Sequence, residues 1–213
     1  MQIQKFEYNL FGVNTYIIFD KSSREAAIVD PGMVNADECK AIDDFIIGNS
    51  LSVKYLINTH MHIDHLFGDE YVMQKYGVGI AASTDDAILS TRISEQARMF
   101  HLRTDISDSL TISTPLKDGD RLRLGKEEIE IFAVPGHSPG SIALYCRESG
   151  FVITGDALFR GSIGRTDLPG GNYAQLISSI TNKLLTLPPL TVVYPGHGPS
   201  STIAYETTYN PYL

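Results

Sequence analysis

Short β-branched and apolar runs, each broken by Gly, Pro, Asn or Asp, alternate along this chain with stretches whose apolar residues recur every three or four positions. Residues 15–19 and 26–29 flank a charged segment, 20–25, and predict an antiparallel hairpin that ends at Asp30-Pro31-Gly32. Over 35–48 Ile42, Phe45 and Ile46 fall at helical spacing, with Asn35 placed to cap the start and Gly48 to stop the helix. Residues 53–58 form a buried strand on this pattern, and 66–76 a helix closed by Gly77. A further helix starts after Ser83, whereas 100–109 shows no period and is expected to be a long loop. Strands are predicted at 121–124, 129–134, 142–146 and 151–154. Leu176, Ile177, Ile180 and Leu184 then stripe a helix capped by Asn172, and 191–194 is the last strand.

No linker, repeat or low-complexity tract divides the 213 residues, so one domain over 1–213 is expected, with helices and strands mixed around two packed sheets. A hydrophobic share of 43% and a charged share of 20% exclude a disordered chain and a membrane-spanning one. The formal net charge of −8 and the absence of a Lys/Arg cluster argue against nucleic acid as a partner, because phosphate binding needs a basic stripe. The first twenty residues have one lysine and no uninterrupted apolar run, which does not resemble a secretory signal; the expected location is the cytoplasm. Cys39 and Cys146 lie outside any CxxC pattern and are expected to be reduced, packed thiols.

The chemistry is concentrated in the histidines. Three of the six fall in Thr59-His60-Met61-His62-Ile63-Asp64-His65, directly after a predicted strand. In an extended segment His60 and His62 point to one side, while Asp64 and His65 can turn at a helix start to face a neighbouring position, so one segment can feed two metals. Imidazole and carboxylate without thiolate suit zinc first, and iron or manganese as well. A lone histidine is more often a packed or solvated residue, but His137 in Pro135-Gly136-His137-Ser138 and His197 in Pro195-Gly196-His197-Gly198 repeat the strand-then-turn setting. Asp156 in Thr154-Gly155-Asp156 also ends an apolar strand. Taken alone it reads as a turn aspartate; between two cations, a carboxylate gives one oxygen to each and reduces their repulsion. Each cluster follows a strand, so the site is expected at one edge of the sheets. His101 matches no such pattern and is left out. Tyr8, Tyr145, Tyr173 and Phe159 are read as core or rim residues.

THMHIDH, PGHSPGS, TGDALF and YPGHG, in this order and spacing, resemble the metallo-β-lactamase superfamily over nearly the whole chain, from Asp30-Pro31-Gly32 to His197. The resemblance implies an α+β, four-layer αββα sandwich with a dinuclear metal site at the sheet edge. It implies that His60, His62 and His137 hold one metal, that Asp64, His65 and His197 hold the other, and that Asp156 bridges them. Within the superfamily, residues 155–159 and 161–167 look like short glyoxalase II-like hydrolases. There a lysine falls where Arg165 stands and contacts the glutathione portion of the substrate, so Arg165 is a candidate to hold a substrate carboxylate bidentately. Arg160 and Arg165 can equally be solvated loop charges. The sequence departs from glyoxalase II where Gly198-Pro199-Ser200 replaces a tyrosine-bearing segment, and it runs only a short way past His197, without the extra helical domain. Glutathione recognition is therefore expected to be weakened.

The implied activity is metal-dependent hydrolysis of a small-molecule thioester. Two divalent cations can generate hydroxide at neutral pH, Asp64 can orient it, and a departing thiolate needs little proton assistance. The alternative is a persulfide dioxygenase, in which one iron is held by two histidines and an aspartate, a subset of these ligands. A flavodiiron protein, with H-x-E-x-D-H, is disfavoured by His62. A secreted β-lactamase would want a signal segment, and a nuclease a basic surface.

Overall fold

The computed structural model describes residues 1–102, 106–108 and 110–213. In chain order the elements begin β1 (Gln2–Tyr8), β2 (Val13–Phe19), β3 (Glu25–Val29), α1 (Ala36–Gly48), β4 (Ser52–Ile57), α2 (Asp69–Tyr76), β5 (Ile80–Ala82), α3 (Ala87–Ser90), α4 (Ile93–Met99) and β6 (Ile112–Pro115). They continue with β7 (Arg121–Leu124), β8 (Glu127–Ala133), β9 (Ile142–Cys146), β10 (Phe151–Gly155), β11 (Leu158–Phe159), β12 (Ser162–Ile163), α5 (Tyr173–Ser179), β13 (Val192–Pro195), β14 (Ser201–Thr202) and α6 (Ile203–Tyr209). One sheet runs β1-β2-β3-β4-β5-β6, the other β14-β13-β10-β9-β8-β7, and β11 and β12 form a separate hairpin.

Period-two alternation decides the layering. In β2 every residue is buried, and the two faces go to different partners. Ile17 and Phe19 pack with Ile42 and Ile46 of α1, Val72 of α2 and Ile93 of α4, while Tyr16 and Ile18 pack across to Leu124, Ile129, Leu144 and Ile153 of the second sheet. The far face of that sheet, through Ala143, Tyr145, Val152 and Val193, is covered by Leu176, Ile180, Leu184 and Ile203. Helix, sheet, sheet and helix therefore stack as the four-layer αββα sandwich. Strands buried on both faces explain why 15–19 and 151–154 read as continuous apolar runs.

The 15–19 and 26–29 hairpin is present, with Tyr16 opposite Val29 and Phe19 opposite Ala26. Asn35 caps α1 by accepting from the Glu38 amide. Gly48 is the last helical residue rather than the stop; the chain turns at Asn49 and at Ser50, which takes a left-handed φ of 52°. The predicted 66–76 helix begins only at Asp69, because residues 63–65 wind into a single tight turn and the Gly68 amide is drawn off to the Pro31 carbonyl. After Ser83 the helix is broken into a 3-10 turn (Thr84–Asp86), α3 and α4. The helix capped by Asn172 ends at Ser179 and widens into a π turn over Ile180–Leu184 that keeps Ile180 and Leu184 in the core. The expected loop 100–109 lies partly outside the described residues. Cys39 is half-buried, Cys146 is buried, and both are unpaired. No helix among the described residues is long and apolar enough to cross a membrane.

Candidate metal centre

β8, β10 and β13 run in the same direction in the second sheet, and β4 of the first sheet ends beside them. His60, His137, Asp156 and His197 each follow the C-terminal end of one of these strands within a few residues. Two hydrogen bonds lock the sheets together there, from the Ile142 amide to the Thr59 carbonyl (2.8 Å) and from the Asn14 amide to the Gly196 carbonyl (2.7 Å). All seven histidine and aspartate residues singled out from the sequence converge at this edge. His60, His62 and His137 form one group, His60, His65 and Asp156 a second, and Asp64, His65 and His197 a third.

Hydrogen bonds on the outer nitrogens determine which nitrogen each ring offers inward. Thr59 Oγ1 must donate to Asp30 Oδ2 (2.7 Å), since a carboxylate can only accept, and so accepts from His60 Nδ1 at 3.1 Å. That leaves the lone pair on His60 Nε2. By the same reasoning His137 Nδ1 donates to the Arg165 carbonyl (2.8 Å) and His197 Nδ1 to the Phe11 carbonyl (3.0 Å), which frees both Nε2 atoms. His65 Nδ1 lies 3.1 Å from Asp30 Oδ2, close but not aligned as a hydrogen bond, and its Nε2 also points inward. His62 differs, presenting Nδ1, 2.8 Å from His137 Nε2.

The buried atoms His60 Nε2, His65 Nε2 and Asp156 Oδ1 have no hydrogen-bond partner. Orphaned polar atoms in a protein interior are costly, and this many in one place need a shared partner. Spacing says what kind. His65 Nε2 is 3.5 Å from Asp156 Oδ1, His137 Nε2 is 3.6 Å and His197 Nε2 3.4 Å from Asp156 Oδ2, and His197 Nε2 is 3.3 Å from Asp64 Oδ2. Metal–ligand bonds of about 2.0–2.1 Å in a tetrahedral site put neighbouring ligand atoms about 3.3–3.4 Å apart. The donor set therefore fits divalent cations. Only His62 and His137 are too close, and that pair would open by about half an ångström around an ion.

The two sides of the site are electrostatically different. Burial, reinforced by neighbouring imidazoles, holds His60 well below the ordinary histidine range and brings His62 down to about 3. Burial also disfavours charge on His65 and His197, but on His65 the nearby Asp64, Asp156 and Asp30 overcome it and on His197 Asp156 and Asp64 do so; the first is held well above the ordinary range and the second at about 10. Asp156 is kept well below the carboxylate range in spite of burial, because His65 and His197 face it. Metal-free protein should therefore hold protons on His65 and His197 more readily than on His60 or His62, and filling the Asp64/His65/His197 side should expel more protons than filling the other. Affinity there should rise as pH rises through neutrality, and more steeply than on the other side. Calorimetric titration in two buffers of different ionisation enthalpy counts the protons released.

Several residues that build the site carried no motif. Asn14 donates to the carbonyls of Pro195 and Gly198 (both 2.9 Å), and Tyr16 to that of Pro195 (2.6 Å), so β2 fixes the His197 loop. Asp86 accepts from the Met61 amide, the Ser138 hydroxyl and the Gly140 amide, joining the His62 and His137 loops. Asp30 also accepts from the Thr59 amide at 2.7 Å. At Gly196 a Cβ would sit 2.1 Å from Asp156 Oδ1, so only glycine lets the strand end approach. Gly136, at φ 137°, passes equally close to the backbone of Leu176.

His101 is exposed and stands apart from these groups. Phe159 lies at the rim, its ring 6.2 Å from that of His197; Tyr8 and Tyr145 are in the core, and Tyr173 is exposed. Arg160 stacks on Tyr205. The exposed guanidinium of Arg165 is engaged by Asp167 through both oxygens, at 2.7 and 2.8 Å.

Residues 8–197 match the metallo-β-lactamase superfamily. The chain belongs to this superfamily. It is 37% identical over 214 residues to the hydroxyacylglutathione hydrolase GloC of Haemophilus influenzae, covering 100% of this chain and 98% of that protein. Among solved structures it is similar to the BLEG-1 B3 metallo-β-lactamase (30% identity, TM-score 0.88, 100% and 99% of the two chains). It is also similar to TTHA1623 in a di-iron-bound form (32% identity, TM-score 0.86, 99% and 100%). Superfamily membership makes the protein a metal-dependent hydrolase with a histidine and aspartate cluster suited to two metals.

Proposed function

We propose that this superfamily member is a dinuclear thioester hydrolase of the glyoxalase II type. The observation that carries the reading is Asp156, whose two oxygens face nitrogens of both histidine groups at 3.4–3.6 Å. His60, His62 and His137 would hold one metal, Asp64, His65 and His197 the other, and Asp156 both. Zinc suits this donor set, and the di-iron form of a relative supports iron as a substitute. Likeness to a hydroxyacylglutathione hydrolase over the full chain supports a small-molecule thioester as substrate.

When bound, a pair of divalent cations lowers the pKa of a shared water and offsets charge that develops on a carbonyl oxygen. The chain supplies the rest. Asp64, with its side chain 16% exposed, can turn an oxygen to a water proton and orient the nucleophile, while Asp156 is buried and keeps its charge. The hydrogen bonds from His60, His137 and His197 to Thr59, Arg165 and Phe11 hold the rings before substrate arrives, so little reorganisation is needed during the reaction. A thiolate leaves without a proton donor, in keeping with a site rich in ligands and poor in separate acids.

Metal analysis and turnover of an anionic thioester test this reading together. About two ions per chain are expected, falling to about one in His137→Ala with loss of thioester turnover; full turnover with one ion would overturn it. Arg165 would hold a carboxylate of the thiol carrier, and Asp167 is then its internal competitor. Arg165→Ala should raise KM for an anionic thioester about threefold to tenfold, Asp167→Asn should lower it, and a neutral thioester should notice neither. Equal effects on both thioesters would remove the role from Arg165.

A further inference from the structure

Beside the metal centre lies a cleft of about 160 Å³, walled by α3, α4, the Pro139 turn and the segment that carries Leu168. His62 belongs both to the histidine triad and to this wall, so the cleft opens onto the site. Its surface is apolar, formed mainly by Ile88, Leu89, Met99, Phe100, Pro139 and Leu168. Ile88 and Met99 are 52% and 47% exposed, large apolar side chains left in water next to the reacting centre. Such exposure concentrated at a functional cleft marks a binding surface rather than scattered surface residues.

The one buried polar side chain of α4 in the wall is already engaged. Gln96 uses its amide fully, accepting from the Ile63 amide and donating to the Met61 and Leu89 carbonyls. Arg92 and Glu95, both more than half exposed, face each other at 3.7 Å, so the wall carries no net charge from this pair. An apolar occupant would cover the large side chains left exposed, while the paired opposite charges of Arg92 and Glu95 favour neither an anion nor a cation.

We propose that this cleft receives the acyl group of the substrate and that the acyl group is an apolar chain rather than a small hydroxyacyl unit. The inference rests on the thioester reading for its reaction, and names the substrate class. The reaction is hydrolysis: water adds its oxygen to the acyl carbon, the carbon–sulfur bond breaks, and a carboxylic acid and a thiol are released.

The test uses metal-loaded protein and N-acetylcysteamine thioesters from acetyl to octanoyl. The specificity constant kcat/KM should rise about twofold per methylene, less than complete burial would give because the cleft is open. In Ile88→Asp the ratio of octanoyl to acetyl kcat/KM should fall to near one. In Leu190→Asp, at an apolar residue 85% exposed outside the cleft, the ratio should stay as in the wild type. Binding of octanamide, followed by calorimetry on metal-free and loaded protein, reads the cleft without catalysis and should weaken about tenfold or more in Ile88→Asp. A flat chain-length profile with intact thioester hydrolysis, or absent octanamide binding, overturns the cleft and leaves the hydrolase reading standing. Octanamide binding without hydrolysis of any thioester upholds an apolar subsite but sinks the thioester reading and the acyl assignment with it. If sedimentation shows a dimer that Ile88→Asp dissociates, the occupant is a second copy of this chain and the proposal fails.

Discussion

Asp156→Asn should leave a folded protein that holds at most one metal ion per chain and turns over thioesters on the order of a hundredfold more slowly. The side chain keeps its shape and loses its charge. In the native chain that charge faces His65, His137 and His197, each at 3.4–3.6 Å, and with the metals bound it would offset two cations at once. The amide has only one oxygen with which to serve two groups. Metal analysis, kcat/KM and far-UV circular dichroism on the same preparation separate loss of the site from loss of the fold. Both metals retained with full turnover would show that Asp156 does not bridge.

Gly196→Ala should be nearly as damaging to the site although it removes no donor atom. The added methyl would lie 2.1 Å from Asp156 Oδ1 and 2.9 Å from His65 Cε1, and the strand end cannot withdraw because Asn14 and Tyr16 hold the carbonyl of Pro195. The carboxylate must then give way. Expected are a loss of about 1–3 kcal/mol in stability, typical of an overpacked interior, and loss of metal from the His65 and His197 side. Gly198→Ala is the matching control. It sits at φ 75° with nothing within 4 Å of a Cβ, so it should cost about 1 kcal/mol of backbone strain and keep its metals. Equal metal loss in both variants, followed by metal analysis and thermal unfolding, would place the effect in loop strain rather than in the contact with Asp156.

How far the sequence carried this reading differs from residue to residue. His60, His62, Asp64 and His65 could be recognised because a strand followed by a turn gathers them within six residues, and His137, Asp156 and His197 because each ends an apolar run at a turn. The supports of these residues had no such local signal. Asn14 lies 181 residues from Pro195 and meets it only when the two sheets close on each other, and Asp30, 29 residues from Thr59, reaches it only when β3 and β4 pair side by side. Asp86 in its short 3-10 turn shows no feature that distinguishes it from a solvated aspartate, yet it is buried and joins two loops. β1 escaped notice because most of its side chains are exposed or half-buried and include Gln2, Gln4, Lys5 and Glu7. The helix expected from residue 66 starts late for a functional reason: the backbone before it is committed to holding Asp64 and His65. For Arg165 the sequence suggested a free fork, and the structure gives that fork to Asp167, two residues away.

The most direct test of a metal-dependent thioesterase is to follow one metal-loaded preparation under argon and then in air. Under argon it should release carboxylic acid and thiol from a thioester at the same rate as in air, with activity lost on chelation and regained on adding back about two equivalents of zinc or iron. No thioester hydrolysis in either atmosphere, together with oxygen uptake on a persulfide by protein holding a single iron, would contradict the account.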